Sequence, residues 1–212
     1  MTLHICEPLP EQEFSNLLQI LSKITIPKIK KDNRMNFDES RYACLGVIRA
    51  RKTGKTGLSA WSKKYPELWQ EIQRIGSLLR GRDGMPFLYT SVHLNHNVVA
   101  GKHLDKGNVG DSILVGFGNY AGGEICLESG EVELIRYRPV CFNGSAVIHW
   151  NTPITSGNKY SLVFYVSKDA LRLACESKYT VNYCTTDAHG NQIFPEILTN
   201  DSVEKDIKEN EQ

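Results

Sequence analysis

The chain has 212 residues, of which 41% are hydrophobic and 23% charged, and its formal net charge is +1. That composition is ordinary for a globular protein and leaves no global field to draw the chain to DNA or to a membrane, so any nucleic-acid affinity has to come from a local patch. No apolar run reaches the roughly 18 residues that a membrane span needs.

Residues 1–8 lack the basic and apolar segments of a signal peptide. The expectation is an intracellular protein, cytoplasmic or nuclear, neither secreted nor membrane-bound. The six cysteines are scattered without a Cys-x-x-Cys, which fits reduced thiols in such a compartment. Cys175, Cys184 and His189 could supply three zinc ligands, but their spacing fits no common zinc pattern.

In chain order, residues 10–24 predict a first helix, with Pro10 and Glu11 at its start and Phe14, Leu17, Leu18 and Leu21 at helical spacing. Residues 27–41 are polar and basic and read as a solvated segment, and Tyr42–Ile48 has the apolar density of a buried strand. The run from Arg49 to Gly57 is the densest basic stretch. With Lys63 and Lys64 it places six cations in sixteen residues. Gly54-Lys55-Thr56 resembles part of a phosphate loop, but the pattern needs Gly where Arg49 stands, so a nucleotide site is rejected. The run is either a solvated face or a flexible loop gripping phosphates.

A second helix is predicted from Pro66, with Leu68, Trp69, Ile72, Ile75, Leu78 and Leu79 on its apolar side and Gly81 and Gly84 ending it. From Phe87 onward strand-like runs follow one another at 87–97, 112–119, 123–128, 131–136, 139–149 and 159–167, punctuated by turn residues. Closely spaced strands with turn signals predict a sandwich or jelly roll, with the two helices backing one face. Asp169–Ser177 reads as a short helix and Tyr179–Thr185 as a strand. Residues 199–212 read as a disordered tail. One domain over 1–198 is expected, helical support at about 10–84 and a jelly-roll core at about 85–167.

His103-Leu-Asp105 is the candidate functional pair. On an extended backbone residues two apart share a side, so an imidazole and a carboxylate can converge on one metal. A third ligand is available in His149, expected at the end of the strand that starts near Val140. Two histidines and a carboxylate form the facial triad of non-haem Fe(II) oxygenases, which leaves coordination positions open. His4, His93, His96 and His189 fit ordinary core or surface roles. On the strand at 159–167, Lys159, Ser161 and Val163 share one face. A Lys and a Ser on one otherwise apolar face beside a metal ligand can hold a small dicarboxylate, although a lysine near a strand start is more often simply solvated.

His-x-Asp, a distal His and a basic-x-Ser pair together resemble the 2-oxoglutarate- and Fe(II)-dependent dioxygenases. Within them the chain looks most like the TET/JBP branch, which hydroxylates the methyl group of thymine or 5-methylcytosine in nucleic acid. Ser91-Val-His-Leu-Asn-His-Asn97, His-Leu-Asp-Lys-Gly-Asn108, Gly122-Gly-Glu-Ile125 and Phe142-Asn-Gly-Ser with His149-Trp-Asn151 carry that likeness. The resemblance implies a double-stranded β-helix with N-terminal supporting helices, an α+β arrangement. It implies Fe(II) on His103, Asp105 and His149, and 2-oxoglutarate anchored by Lys159 and Ser161. Asn95 would reach the co-substrate or order water near the metal. Gly122 and Gly123 would make a tight turn. O2 would be the oxidant and DNA the partner, with Arg49, Arg51, Lys52 and Lys55 as phosphate contacts and Arg80 and Arg82 beside them. A prolyl-type protein hydroxylase or a small-molecule hydroxylase on the same fold is the alternative.

Overall fold

The computed structural model describes residues 3–28, 40–50 and 53–177, with side chains through 172, and the backbone of 185–186 and 192–193. In chain order the elements are β1 (His4–Ile5), a 3-10 turn (Glu11–Phe14) running into α1 (Ser15–Leu21), β2 (Arg41–Arg49), β3 (Thr56–Leu58), α2 (Ala60–Lys64) and α3 (Pro66–Leu78). Then come β4 (Ser91–His96), β5 (Asn108–Phe117), β6 (Tyr120–Gly122), β7 (Ile125–Leu127), β8 (Val132–Glu133), β9 (Val140–Phe142), β10 (His149–Asn151), β11 (Ile154–Gly157), β12 (Tyr160–Ser167) and α4 (Lys168–Ser177). Two short strands, β13 (Thr185–Thr186) and β14 (Gln192–Ile193), pair with each other.

A seven-stranded antiparallel sheet in the order β1-β9-β5-β12-β4-β2-β3 forms the larger layer. The smaller layer is built from β10-β7-β8 and β11-β6. Alternation along the large sheet decides what each face meets. Ala43, Leu45, Val92, Leu94, Ile113, Val115, Phe117, Leu162 and Phe164 pack on one face against Phe14, Leu17 and Leu21 of the first helical segment and Leu68, Ile72 and Ile75 of α3. Phe14 stacks on Phe117 at 5.1 Å between ring centroids. Each such fully buried side chain contributes about 1.5–3 kcal/mol. On the opposite face Leu114, Val140 and Phe142 meet Ile125, Leu127 and Ile135. This is a jelly roll with helices backing one sheet, as expected, and the polar site lies between the two layers.

Several boundaries differ from the expectation. The strand at 139–149 is two strands, because Asn143-Gly144-Ser145 makes a turn in which the Asn143 side chain accepts from the Ser145 amide at 3.1 Å. His149 therefore opens β10 in the smaller layer instead of closing a strand begun at Val140. Helix α3 ends at Leu78, before the glycines, because Leu79 turns extended. The first helix stops at Leu21 and the strand at 87–97 starts only at Ser91, whereas β5 begins at Asn108. Only Val132–Glu133 of 131–136 is strand, and β3, α2, β6 and β11 were not anticipated. Ser59 caps α2 by accepting from the Ser62 amide at 3.0 Å. The basic run is the end of a hairpin between β2 and β3, closed by the Ala50 amide on the Lys55 carbonyl at 2.8 Å. Most of the 27–41 segment, Arg51, Lys52, residues 178–184 and the tail lie outside the described residues, as do the side chains of Cys175, Cys184 and His189. No helix among the described residues is long and apolar enough to cross a membrane.

Candidate metal centre

His103 and Asp105 sit in the connection from β4 to β5, not on a strand. What holds them is backbone pairing to the free edge of β10 and to the turn before it. The His103 amide donates to the His149 carbonyl at 3.0 Å and the His149 amide to the His103 carbonyl at 3.1 Å. The Asp105 amide donates to Gly144 at 2.8 Å, and the Asn108 amide closes a turn back on Asp105 at 2.9 Å. The three side chains thereby converge, and their ligand atoms all lie within 4.8 Å of one another. His103 Nε2 stands 3.6 Å from Asp105 Oδ1, and His149 Nε2 stands 3.7 Å from Asp105 Oδ2.

The tautomers follow from the partners. His103 Nδ1 contacts the Gly101 carbonyl at 2.7 Å and His149 Nδ1 contacts the Val147 carbonyl at 2.9 Å. A carbonyl oxygen only accepts, so each Nδ1 carries the proton and each Nε2 presents its lone pair to the centre. Burial holds the His149 imidazole below its ordinary pKa, in the neutral form a metal ligand needs. Asp105 Oδ2 accepts from Asn108 Nδ2 at 3.4 Å. A Cβ at Gly144 would come within 3.1 Å of Asp105 Oδ2 and 3.3 Å of His149 Cε1, so this glycine makes room for the cluster. Two imidazoles whose Nδ1 atoms are held by carbonyls, together with one carboxylate, fit a divalent transition metal.

A second polar group lies on the same inner face. Lys159 is 3% exposed, and its Nζ donates to the Gly123 carbonyl at 2.5 Å. Gly122 and Gly123 both have positive φ, 73° and 69°, in the link from β6 to β7 that brings the Gly123 carbonyl to the lysine. Burial pushes the Lys159 ammonium down to about 8. Ser161 lies opposite Asn95 on one side and Gly116 on the other, and Asn95 Nδ2 donates to Ser161 Oγ at 3.3 Å. Asn95 thus orients the serine.

Tyr120 was not anticipated. Its ring is 3% exposed and lies 5.8 Å from Lys159 Nζ, and its hydroxyl has no hydrogen-bond partner among the described residues. A Cβ at Gly116 would fall 2.2 Å from that hydroxyl, which places it on the face that carries Ser161. A buried, unpartnered hydroxyl beside a buried ammonium is costly unless a ligand completes it. Lys159, Ser161 and Tyr120 therefore fit a small carboxylate.

A cavity of about 910 Å³ opens beside the metal ligands. His103, Asp105 and Asn108 line it together with Tyr42, Cys44, His93 and Tyr165, and the exposed Arg49, Lys102 and Lys106 and half-exposed Asp169 stand around it. Tyr165 Oη contacts His93 Nε2 at 2.9 Å and Cys44 Sγ at 3.5 Å. His93, expected to fill an ordinary role, is thus a cavity residue, and its place two residues before Asn95 was the available signal. Of the cations in the basic run only Arg49 lines this cavity among the described residues. Lys55 does not line it, and neither Arg80 nor Arg82 does. Arg80 Nη1 instead donates to the Ser77 carbonyl at 2.7 Å, and Arg82 Nε bonds Asp111 Oδ2 at 2.7 Å.

The sequence matches no protein-family model and no curated protein. The fold does match solved structures. One is an oxidoreductase of the 2OG-Fe(II) oxygenase family from Burkholderia pseudomallei, 14% identical, TM-score 0.53, over 77% of this chain and 84% of that one. Another is NgTET1 in complex with 5mC DNA, 18% identical, TM-score 0.51, over 82% of this chain and 80% of that one. A third is a prolyl hydroxylase from Trichoplax adhaerens in complex with a hypoxia inducible factor peptide, 14% identical, TM-score 0.49, over 81% and 86%. At these identities the likeness is one of fold, the jelly roll that 2OG-Fe(II) oxygenases use.

Proposed function

We propose that this chain is an Fe(II)- and 2-oxoglutarate-dependent dioxygenase that hydroxylates the methyl group of thymine or 5-methylcytosine in DNA. The observation that carries the reading is the convergence of His103, Asp105 and His149 beside a cavity with aromatic walls and cations around it. The likeness in fold to NgTET1 with 5mC DNA supports it.

Fe(II) with 2-oxoglutarate and O2 supplies the chemistry when bound: one oxygen atom goes to the C–H bond as an alcohol and the other into succinate, with release of CO2. The chain's residues position the reactants. His103 and His149 present Nε2, and Asp105 balances charge. The Lys159 ammonium pairs with the distal carboxylate of 2-oxoglutarate, while the Tyr120 and Ser161 hydroxyls take its remaining lone pairs. Tyr42, His93 and Tyr165 offer aromatic surface to a flat ring, worth about 1–3 kcal/mol per stacked base. Burial raises the Tyr165 hydroxyl pKa, so it stays protonated and able to bond a polar ring edge. In a duplex the base has to leave the stack, at a cost of about a few kcal/mol.

The test is mass spectrometry of nucleosides from methylated oligodeoxynucleotides treated with the protein, Fe(II), 2-oxoglutarate and O2. Hydroxymethyl pyrimidine is expected. Unchanged nucleosides together with a hydroxylated peptide would favour the prolyl-type alternative instead.

A further inference from the structure

Two lysines that the proposed chemistry does not use flank the metal ligands. Lys102 precedes His103 and Lys106 follows Asp105, both are exposed, and both line the cavity. Their backbone is fixed on both sides of the metal ligands. His103 is paired to His149, Asp105 is held on Gly144, and Lys168 Nζ donates to the Lys106 carbonyl at 2.7 Å. The two ammonium groups therefore start from points set relative to the metal centre, unlike lysines on a loose loop.

Their present partners are weak. Neither lysine makes an ion pair among the described residues, and Lys102 Nζ rests over the Trp150 ring at 4.6 Å. Arg49, at the hairpin side of the same cavity, donates to the Gly54 carbonyl at 3.1 Å and meets Asp169 only at 3.9 Å. Asp169 is the carboxylate at this mouth besides Asp105, and Arg172 stands 3.7 Å from it. A phosphate diester would compete well for all three cations, since a charge-assisted contact is about twice as strong as a neutral one.

We propose that Lys102, Lys106 and Arg49 clamp the backbone phosphates on either side of the nucleotide that enters the cavity. The strand then crosses the metal-ligand loop, and the tip of the β2–β3 hairpin at Lys55 is not its track. This rests on the base-hydroxylase reading and adds to it the path of the strand. The partner is a nucleic-acid strand with its target nucleotide unstacked, because the cations surround a cavity and do not line a flat face.

The experiment measures binding of a single-stranded methylated oligodeoxynucleotide to the protein loaded with Fe(II) and 2-oxoglutarate, without O2, across a salt series. Each phosphate contact on a single strand contributes about 0.7 to the slope of log affinity against log salt. The Lys102→Gln, Lys106→Gln double variant is expected to lower the slope by about 1.4, and Lys55→Gln to leave it near the wild-type value. Both lysines are exposed, so the variants keep the fold. A wild-type slope that the double variant retains overturns the clamp alone, as does a slope lost instead in Lys55→Gln. Wild-type protein that shows no salt-dependent binding and no nucleoside product overturns the base-hydroxylase reading with it.

Discussion

His103 and His149 are joined backbone to backbone, exchanging both amide hydrogen bonds at 3.0 and 3.1 Å as an antiparallel bridge at the free edge of β10. Two of the three candidate metal ligands are therefore placed by main-chain pairing, and the third, Asp105, by its amide on Gly144 at 2.8 Å. Side-chain freedom is limited further by the Nδ1 contacts to Gly101 and Val147. The site is preorganised by the chain itself.

Gly144 is the point at which this arrangement is most easily disturbed. A methyl group there would press on Asp105 Oδ2 at 3.1 Å and on His149 Cε1 at 3.3 Å. Gly144→Ala is expected to weaken Fe(II) binding by about tenfold, the lower end of what loss of a supporting contact costs a metal site. Isothermal titration with Fe(II) under anaerobic conditions measures this. Wild-type affinity in the variant would mean that the cluster is looser than the packing indicates.

Lys159 sets two pH dependences of opposite sign. Its folded pKa is about 8, depressed by burial. The unfolded chain keeps the ordinary lysine value and so binds the extra proton between the two, and stability rises as pH climbs from about 8 toward the ordinary lysine range. That gain is lost as pH falls through about 8. Binding of 2-oxoglutarate runs the other way, weakening above pH of about 8 as the ammonium loses its proton. Lys159→Met removes a buried charge in similar volume. It is expected to raise the midpoint of thermal unfolding while raising the KM for 2-oxoglutarate by about 10- to 100-fold, the range for a lost hydrogen bond to a charge. A variant that is less stable and has an unchanged KM would remove Lys159 from the co-substrate site.

Tyr120 makes a sharper test of the same site. Its hydroxyl is buried without a protein partner among the described residues, so deleting it leaves nothing unpaired. Tyr120→Phe is expected to be at least as stable as the wild type and to bind 2-oxoglutarate about tenfold more weakly, as loss of one hydrogen bond predicts. Thermal unfolding and 2-oxoglutarate titration on the same sample separate the two effects. Lower stability with full co-substrate affinity would show that the hydroxyl serves the fold alone.

The residues brought together here were legible to different depths. His103 and Asp105 could be singled out because ligand type and spacing are local, and β12 because alternation along 159–167 is strong. The break at Asn143-Gly144-Ser145 is masked in the sequence by the apolar residues on both sides, so the pattern places His149 at the end of the strand from Val140, whereas it opens β10 and still converges with the pair. Tyr120 could not be found from sequence, because a hydroxyl becomes informative only when burial leaves it without a partner. The contact of Tyr165 with His93 depends on which strands lie side by side, β4 beside β12, and no local pattern specifies that order. Arg49 of the charge-dense run lines the cavity beside the metal ligands, as do Lys102 and Lys106, two isolated lysines that no charge run marks.

The central claim, that His103, Asp105 and His149 hold iron for a 2-oxoglutarate-dependent oxidation, is tested most directly by succinate formation with Fe(II), 2-oxoglutarate and O2, run on wild type and Asp105→Ala alongside iron binding. The account predicts succinate from the wild type, and loss of both succinate and iron binding in the variant. No succinate from the wild type, with or without methylated DNA, together with equal iron binding by Asp105→Ala would contradict it.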